Sequence, residues 1–421
     1  MKGAGRASGV AVVGAGVIGL AAAISLRRAG REVTAFDPLP PGEGGASFGN
    51  AGILSTDADA PMALPGMLRD VPGWLRDPLG PLAVRLSYLP RAAPWLARFI
   101  QASQLSRVQA SSDALRALNR DGIAGYREFL GAERFRDLIR QTGTVQLLKA
   151  GPDSRSDAVC QLLRERHGIQ TEALAEDDLK QLFPGMAAEH RRGILFPRNG
   201  YTLSPRRLTA ALADIFVREG GEIRRERVTK LLPGRDRWTL ITNIANHGAE
   251  TVVVAGGIWS KDLLRPLGLK LPLETERGYH LVIREPSLEL RLPILDKVRG
   301  FALTPMEEGL RLAGTVEIGG IVMPPNEERA HILLAHAKTL FPALEGSVER
   351  IWMGFRPSVP DSVPAIGAVP GRPGLFVAVG HGHYGMIGAP TTGRLVAELV
   401  SGRPPGIDSE PYGFARFGIR A

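Results

Sequence analysis

The chain predicts an α/β protein: a mostly parallel, nucleotide-binding sheet with helices on its faces, interrupted by insertions that build a second, more antiparallel α+β domain. Three observations carry this reading. The run Val10 to Asp37 reads as strand, glycine turn, helix and second strand; Glu250 to Ser260 reads as a buried β-branched strand ending in two glycines; residues 271 to 283 and 310 to 318 read as strands of a different sheet.

The opening run, VAVVGAGVIGLAAAISLRRAGREVTAFD, implies a dinucleotide. Gly14 permits the tight turn, Gly16 lets the backbone approach a pyrophosphate, and Gly19 lets the helix pack close to the sheet. Val17 and Ile18 fill the first helical turn, whose N–H groups and dipole favour phosphate. Asp37 ends the second strand, where a carboxylate accepts from a ribose 2′-hydroxyl and repels a 2′-phosphate, which argues against NADP. A lone glycine fingerprint is weak, but this one follows a strand and opens a helix.

The later elements follow in order. Asn50 to Leu54 belongs with the nucleotide half; Ala110 to Ile139 has helical spacing; Thr142 to Leu148 reads as a strand, and Asp177 to Leu182 as a short helix closed by Pro184 and Gly185. SPRRLTAALADIFVREGG is a helix with Ser204 as N-cap, Pro205 at its first position and Gly220 as its stop, and Arg225 to Leu231 should be a strand beside it. In ETVVVAGGIWS, Ala255, Gly256 and Trp259 follow a strand end that should meet a ligand. Leu375 to Val379 is a further strand, followed by GHGHYG and a helix from Ile387 to Val400. The division expected is 1–57, 200–270 and 350–421 for the nucleotide-binding domain, and 58–199 with 271–349 for a substrate domain.

At 421 residues the chain suits two domains, and its single cysteine, Cys160, leaves no disulfide framework and suits a reducing compartment, the cytoplasm. Lys2 and Arg6 before an apolar run resemble a secretion leader, yet the glycine spacing explains that run better. The net charge is +9, but no basic run is interleaved with aromatics, so nucleic acid is not an expected partner. Met67 to Arg107 differs: Trp74, Tyr88, Trp95 and Phe99 stand among six arginines, opposed only by Asp70 and Asp77. Such a segment is either a lid packed on its own protein or a peripheral contact with the inner face of the cytoplasmic membrane. No GxSxG or HExxH pattern supports a hydrolase.

Arg356, in GFRPSVPD, sits on a proline-stiffened segment where a guanidinium could clamp a carboxylate or form a structural ion pair. Arg277 in ETERGYH has Glu274 and Glu276 close by and reads as a structural salt bridge. Tyr279 and His280 alternate, so one of them faces the pocket, with Tyr279 the expected one. His381 and His383 lack a completing cysteine or acid, so no metal is expected. Gly380, Gly382 and Gly385 let a flat ring lie on bare backbone, with the next helix pointing its positive end at it, as a reduced isoalloxazine prefers.

With these motifs, GAGVIG and Asp37, SFGNAG at Ser47 to Gly52, VVVAGGIWS, ERGYH, GFRPSVPDSVPAIG and GHGHYGMIGAPTTG, the chain resembles the D-amino-acid oxidase superfamily of FAD-dependent oxidoreductases, nearest in type to bacterial D-amino-acid dehydrogenase small subunits. The resemblance implies noncovalent FAD, its phosphates near Ser47, its adenine at Val228, and its ring by Asn50, Ala51, Gly52, His381, Gly382, His383, Tyr384, Gly385 and Met386. It implies that Arg356 holds a substrate carboxylate, helped by Tyr279 or Tyr384, with His383 in the same site. HGHYG departs from the commoner HGTLG, which bears on the substrate side chain. The implied activity is oxidative deamination of amino acids, D-amino acids first, to 2-oxo acids and ammonia by hydride transfer from the α-carbon to flavin N5. Electrons would pass to a quinone or respiratory acceptor. Alternatives are an enzyme of glycine, N-alkyl or cyclic amino acids or opines, an FAD subunit of a heteromeric dehydrogenase, and an NAD enzyme.

Overall fold

The computed structural model describes residues 8–69, 71–149, 151, 153–187 and 192–419; Lys2, Arg6 and Asp70 lie outside them. Val10–Val13 is buried throughout, as a central parallel strand requires, and forms part of the Ser8–Val13 strand of an eight-stranded sheet. Val33–Phe36 and Asn246–Val254 flank it in parallel, with Glu222–Arg224 beyond the former and Leu375–Val379 beside the latter. The early part of Asn246–Val254 also pairs antiparallel with Trp238–Thr242, which leads on to Val228–Pro233.

The helix Val17–Arg28 packs on this sheet through a surface of small and aliphatic residues buried almost end to end. Close packing against the Gly385–Val400 helix needs a missing side chain: a Cβ on Gly393 would lie 2.4 Å from the Ala21 carbonyl oxygen. Pro205–Arg218 lies against Val17–Arg28, its Ser204 hydroxyl accepting from the Arg207 amide as an N-cap.

A nine-stranded sheet runs in the order Ser347–Ser358, Glu274–Arg284, Gly309–Ile318, Phe301–Met306, Ile294–Asp296, Thr144–Leu147, Arg192–Phe196 and Glu172–Ala175, with Leu82–Val84 added beside Gly309–Ile318. Leu281, Ile283 and Leu312 share a core with Leu333, Ala337 and Leu340 of the Glu328–Leu340 helix, which covers one face. The other face meets the first domain, where His280, Arg311 and Thr304 hydrogen-bond the carbonyls of Gly49, Asn50 and Ala51. The site lies at this junction.

Three expectations change. The helical stretch Ala110 to Ile139 is broken twice: between Leu105–Asn119 and Gly122–Leu138, where Gly122 passes so close to Ile387 that a Cβ would meet its carbonyl at 2.2 Å, and inside the latter at Gly131, which leaves helical geometry at φ 73°. The strand expected at Arg225 to Leu231 beside the Pro205–Arg218 helix is Val228–Pro233, at the far edge of the sheet; the strand next to that helix is Glu222–Arg224. Ser347–Ser358 pairs along its length with Glu274–Arg284 and so runs across the boundary expected at position 350.

Candidate active site

A cavity of about 440 Å³ runs along the carboxyl ends of the parallel strands, the position where open α/β sheets bind ligands. One end is walled by Asp37, Val228, Arg227 and Thr229; the middle by Gly14, Gly16, Val17, Ile18 and the Gly44–Ser47 loop; the other by Asn50, Gly380, His381, Gly382, Gly385 and Met386. Ala255, Gly256 and Trp259 line one side.

The floor is built by glycines. Gly14 holds φ 108°, and a Cβ there would come within 2.5 Å of the Ala255 carbonyl oxygen. Gly19 does not line the cavity; a Cβ on it would meet the Gly14 carbonyl oxygen at 1.9 Å, so its role is the close helix approach that shapes the turn. The Asp37 carboxylate receives the amides of Ala15 and Leu39 at 2.8 and 3.0 Å, which fixes it at the cavity end with lone pairs to spare. The Ser47 hydroxyl accepts from Val17 N at 3.0 Å and ties the glycine-rich loop to the helix start. No acidic residue stands in the first turn of Val17–Arg28 or Gly385–Val400, so both positive helix ends face the cavity unopposed. A long cavity with a carboxylate at one end, a floor of glycine backbone and a glycine-walled far end fits FAD. Cys160 is buried away from it, beside Lys297, and its thiol is pushed up by burial.

Other expected residues stand around that wall. Ala51 and Gly52 do not line the cavity: the Ala51 carbonyl accepts from Thr304, and Gly52 is turned at φ 78° against Thr202. Tyr384 is half-buried with its hydroxyl donating to the Ala60 carbonyl at 2.6 Å, so its donor is already used. His381 is buried and neutral, its Nε2 at 3.0 Å from the Thr392 hydroxyl, with burial pushing its pKa down to about 3. It and His383 therefore turn to different partners.

Alternation along Glu274–Arg284 decides the rest. Arg277 and Tyr279 point to the helix-covered face, away from the cavity. The Tyr279 hydroxyl donates to Glu317 at 2.5 Å and accepts from Asn326 N at 3.0 Å, so the expectation that Tyr279 faces the pocket is corrected. Arg277 is wholly buried and pairs with Glu317 and the carbonyls of Gly320, Met323 and Pro324, not with Glu274 or Glu276.

Glu276, Gly278 and His280 take the opposite face. Arg356, cross-strand from Glu276, lays its guanidinium over Gly278, where a Cβ would come within 2.2 Å of its Cζ. Nη1 donates to the Thr315 carbonyl at 3.2 Å. Thr315 is β-branched yet holds φ 55°, a strained backbone of the kind found at functional sites. Burial lowers the Arg356 pKa, and the Glu276 carboxylate opposes that shift. His383 Nδ1 stands 3.5 Å from Glu276 Oε2, and neither atom has a hydrogen-bond partner among the described residues. Burial pushes Glu276 up, against the pull of Arg356 and Ser358, and pushes His383 down to about 3, helped by the Arg356 charge.

Sequence reasoning missed Glu276 as a member of this cluster, and Thr315 and Ser358 altogether. The pattern ETERGYH held the signal for Glu276, since a period of two puts Glu276 and Gly278 on one face and Arg277 and Tyr279 on the other. Trp95 also reaches the cluster: it is buried, stacks on Phe99 at 5.1 Å and donates Nε1 to the Ser358 carbonyl. Trp95 thus packs on its own protein, while Arg76, Arg91, Arg98 and Arg107 face outward with Leu75, Leu86 and Leu89.

Residues 9–399 match the DAO family, described as FAD dependent oxidoreductase. A D-amino-acid oxidase of Bradyrhizobium diazoefficiens is 37% identical over 415 residues, covering 97% of this chain and 98% of its own. Glycine oxidase from Geobacillus kaustophilus superposes with a TM-score of 0.72 at 24% identity, covering 97% of this chain and 98% of its own. L-proline dehydrogenase from P. horikoshii gives 0.73 at 19% identity, covering 99% and 100%.

Proposed function

The chain belongs to the DAO family of FAD-dependent oxidoreductases, and from that premise we propose that it deaminates amino acids oxidatively, D-amino acids first, to 2-oxo acids and ammonia. The observation that carries the reading is Arg356: a half-buried guanidinium, laid over a bare glycine, beside the glycine-walled end of a cavity that fits a flavin. When bound, FAD supplies the acceptor for a hydride leaving the substrate α-carbon. Gly14, Gly16, Val17, Ile18, Asp37, Ser47 and Val228 would hold its adenosine and phosphates, and Asn50, Gly382, Gly385 and Met386 its ring. Arg356 would take the substrate carboxylate through its planar fork, fixing the α-carbon and excluding water from that side. The Bradyrhizobium relative is a D-amino-acid oxidase, which supports the D-configuration.

We assign 1–57, 200–270 and 359–421 to the cofactor half and 58–199 with 271–358 to the substrate half, the last boundary following the Ser347–Ser358 strand. A quinone or respiratory acceptor is the reading we favour for the electrons. Its support is the outward arginines and leucines of the Met67–Arg107 segment, which suit an anionic membrane surface. Among the described residues no helix is long and apolar enough to cross a membrane.

Purified protein should be yellow with flavin absorbance and should turn over members of a panel of D-, L-, N-alkyl and cyclic amino acids. Arg356→Ala should raise KM by roughly a hundredfold or more with the flavin retained, as expected from losing a buried charge pair. An unchanged KM removes Arg356 from the role, and a colourless protein that FAD cannot reconstitute removes the reading itself. Quinone reduction without peroxide release, with vesicle binding that needs anionic lipid, is the result expected for the acceptor.

A further inference from the structure

A zwitterionic amino acid gripped by its carboxylate brings its ammonium one carbon away from the clamp, and an ammonium cannot lose a hydride from the adjacent carbon. The nitrogen needs its lone pair first, so a proton must leave. Beside Arg356 stand two groups able to handle it. Glu276, from Glu274–Arg284, is buried, with Oε2 sealed from solvent and without a hydrogen-bond partner. His383, in the turn between the Leu375–Val379 strand and the last long helix, aims Nδ1 at that oxygen from 3.5 Å. The His383 side chain keeps 26% of its exposure while Nδ1 is sealed, so its open edge is the one turned away from Glu276. Among the described residues, Nε2 makes no hydrogen bond. A carboxylate behind one ring nitrogen and an open second nitrogen form the arrangement that makes imidazole a directed proton acceptor. Its length is that of a catalytic contact before substrate closes it.

We propose that His383, oriented by Glu276, takes a proton from the substrate α-ammonium and so makes the neutral amine inside the site. The inference rests on the amino-acid reading above. One ammonium N–H bond breaks, an Nε2–H bond forms, and the electron pair stays on the amine nitrogen. The charged groups facing His383 are Glu276 and Arg356. Burial, with the Arg356 charge adding to it, keeps His383 unprotonated in the resting enzyme; a substrate carboxylate neutralises that guanidinium and removes its share, and Glu276 then stabilises the imidazolium. The clamp thus raises the proton affinity of His383 as the ammonium arrives. His383 is the catalytic group, and Glu276 is a positioning residue.

The test uses flavin-loaded enzyme and ¹⁵N-labelled 2-aminoisobutyrate, which has no α-hydrogen and cannot be oxidised. In wild type at neutral pH its bound nitrogen signal should be that of a neutral amine, and the ¹⁵N signal of His383 should gain a proton on binding. In His383→Gln the bound ligand should stay ammonium until the pH is raised by about 2 units or more, and Glu276→Gln should move that titration part of the way. The pH limb of anaerobic flavin reduction should shift alike. The wild-type histidine signal needs no variant, so a poorly folded His383→Gln does not spare the idea. A His383 that stays neutral with ligand bound, or identical ligand titrations in wild type and a flavin-loaded His383→Gln, overturns it while amino-acid turnover stands. If wild type oxidises no amino acid and does not bind the analogue, the functional reading fails first and this inference with it.

Discussion

Alanine at Gly278 moves the Arg356 guanidinium without removing it. The residue is mid-strand and has no positive φ, so its backbone accepts alanine and the sheet should persist. The added Cβ would lie 2.2 Å from Cζ and Nη1 of Arg356 and 2.3 Å from Nη2, more than 1 Å inside ordinary contact. The fork has little freedom to yield, since it is half-buried, holds the Thr315 carbonyl at 3.2 Å and feels the Glu276 carboxylate. It must therefore shift by about 1 Å, and a misplacement of that size costs on the order of 10²-fold, or about 2.7 kcal/mol of transition-state stabilisation. Overpacking should cost about 1–3 kcal/mol of fold stability as well. Steady-state kinetics on flavin-loaded Gly278→Ala should show kcat/KM for amino acids down roughly 30- to 100-fold, mostly in KM, with an unchanged flavin content. Kinetics like wild type, with the variant folded and yellow, would refute the argument that this guanidinium must lie where it does.

Three further outcomes follow from the same geometry. Gly14→Ala combines a forbidden φ with backbone contacts at 2.5 to 2.9 Å and should weaken FAD binding roughly a hundredfold, seen as flavin lost on gel filtration and partly restored by excess FAD. Tyr279→Phe should leave KM within about twofold while lowering stability by about 1–2 kcal/mol in urea, because its hydroxyl serves Glu317 and not substrate; a large rise in KM would put Tyr279 back in the pocket. His280 and His381 have folded pKa values depressed to about 3 by burial, from an ordinary 6.5, so the unfolded chain takes up protons that the native chain refuses. Their contribution is whole above pH 6.5 and is lost as pH falls towards 3, so these two alone should make the protein about 3 kcal/mol less stable to urea at pH 5.5 than at pH 7.5, with His383, depressed alike, adding to the loss. Equal stability at both values would count against two buried neutral imidazoles.

The cofactor half was legible because its signals are local. The Gly14–Gly19 turn, Asp37 at a strand end and the glycines after Val379 each state their conformation within a few residues, and φ 108° at Gly14 follows from that spacing. The same holds for the Ser204 cap and the Leu375–Val379 strand, found with the bounds expected. Period-two alternation likewise showed that Tyr279 and His280 face opposite ways.

Which way each faces was a matter for the tertiary structure alone. That depends on which side of the nine-stranded sheet the Glu328–Leu340 helix covers, and on the strand of Arg356 pairing in register with Glu276. Neither is a property of any short segment. A side chain's neighbours across a sheet come from distant parts of the chain, and only packing brings His383 to Glu276 and Trp95 to Ser358. The sequence by itself determined what kind of molecule this protein must bind; the side chains that gather around the clamp were decided by the fold, because hydrogen bonding and burial act through space and leave no mark in spacing.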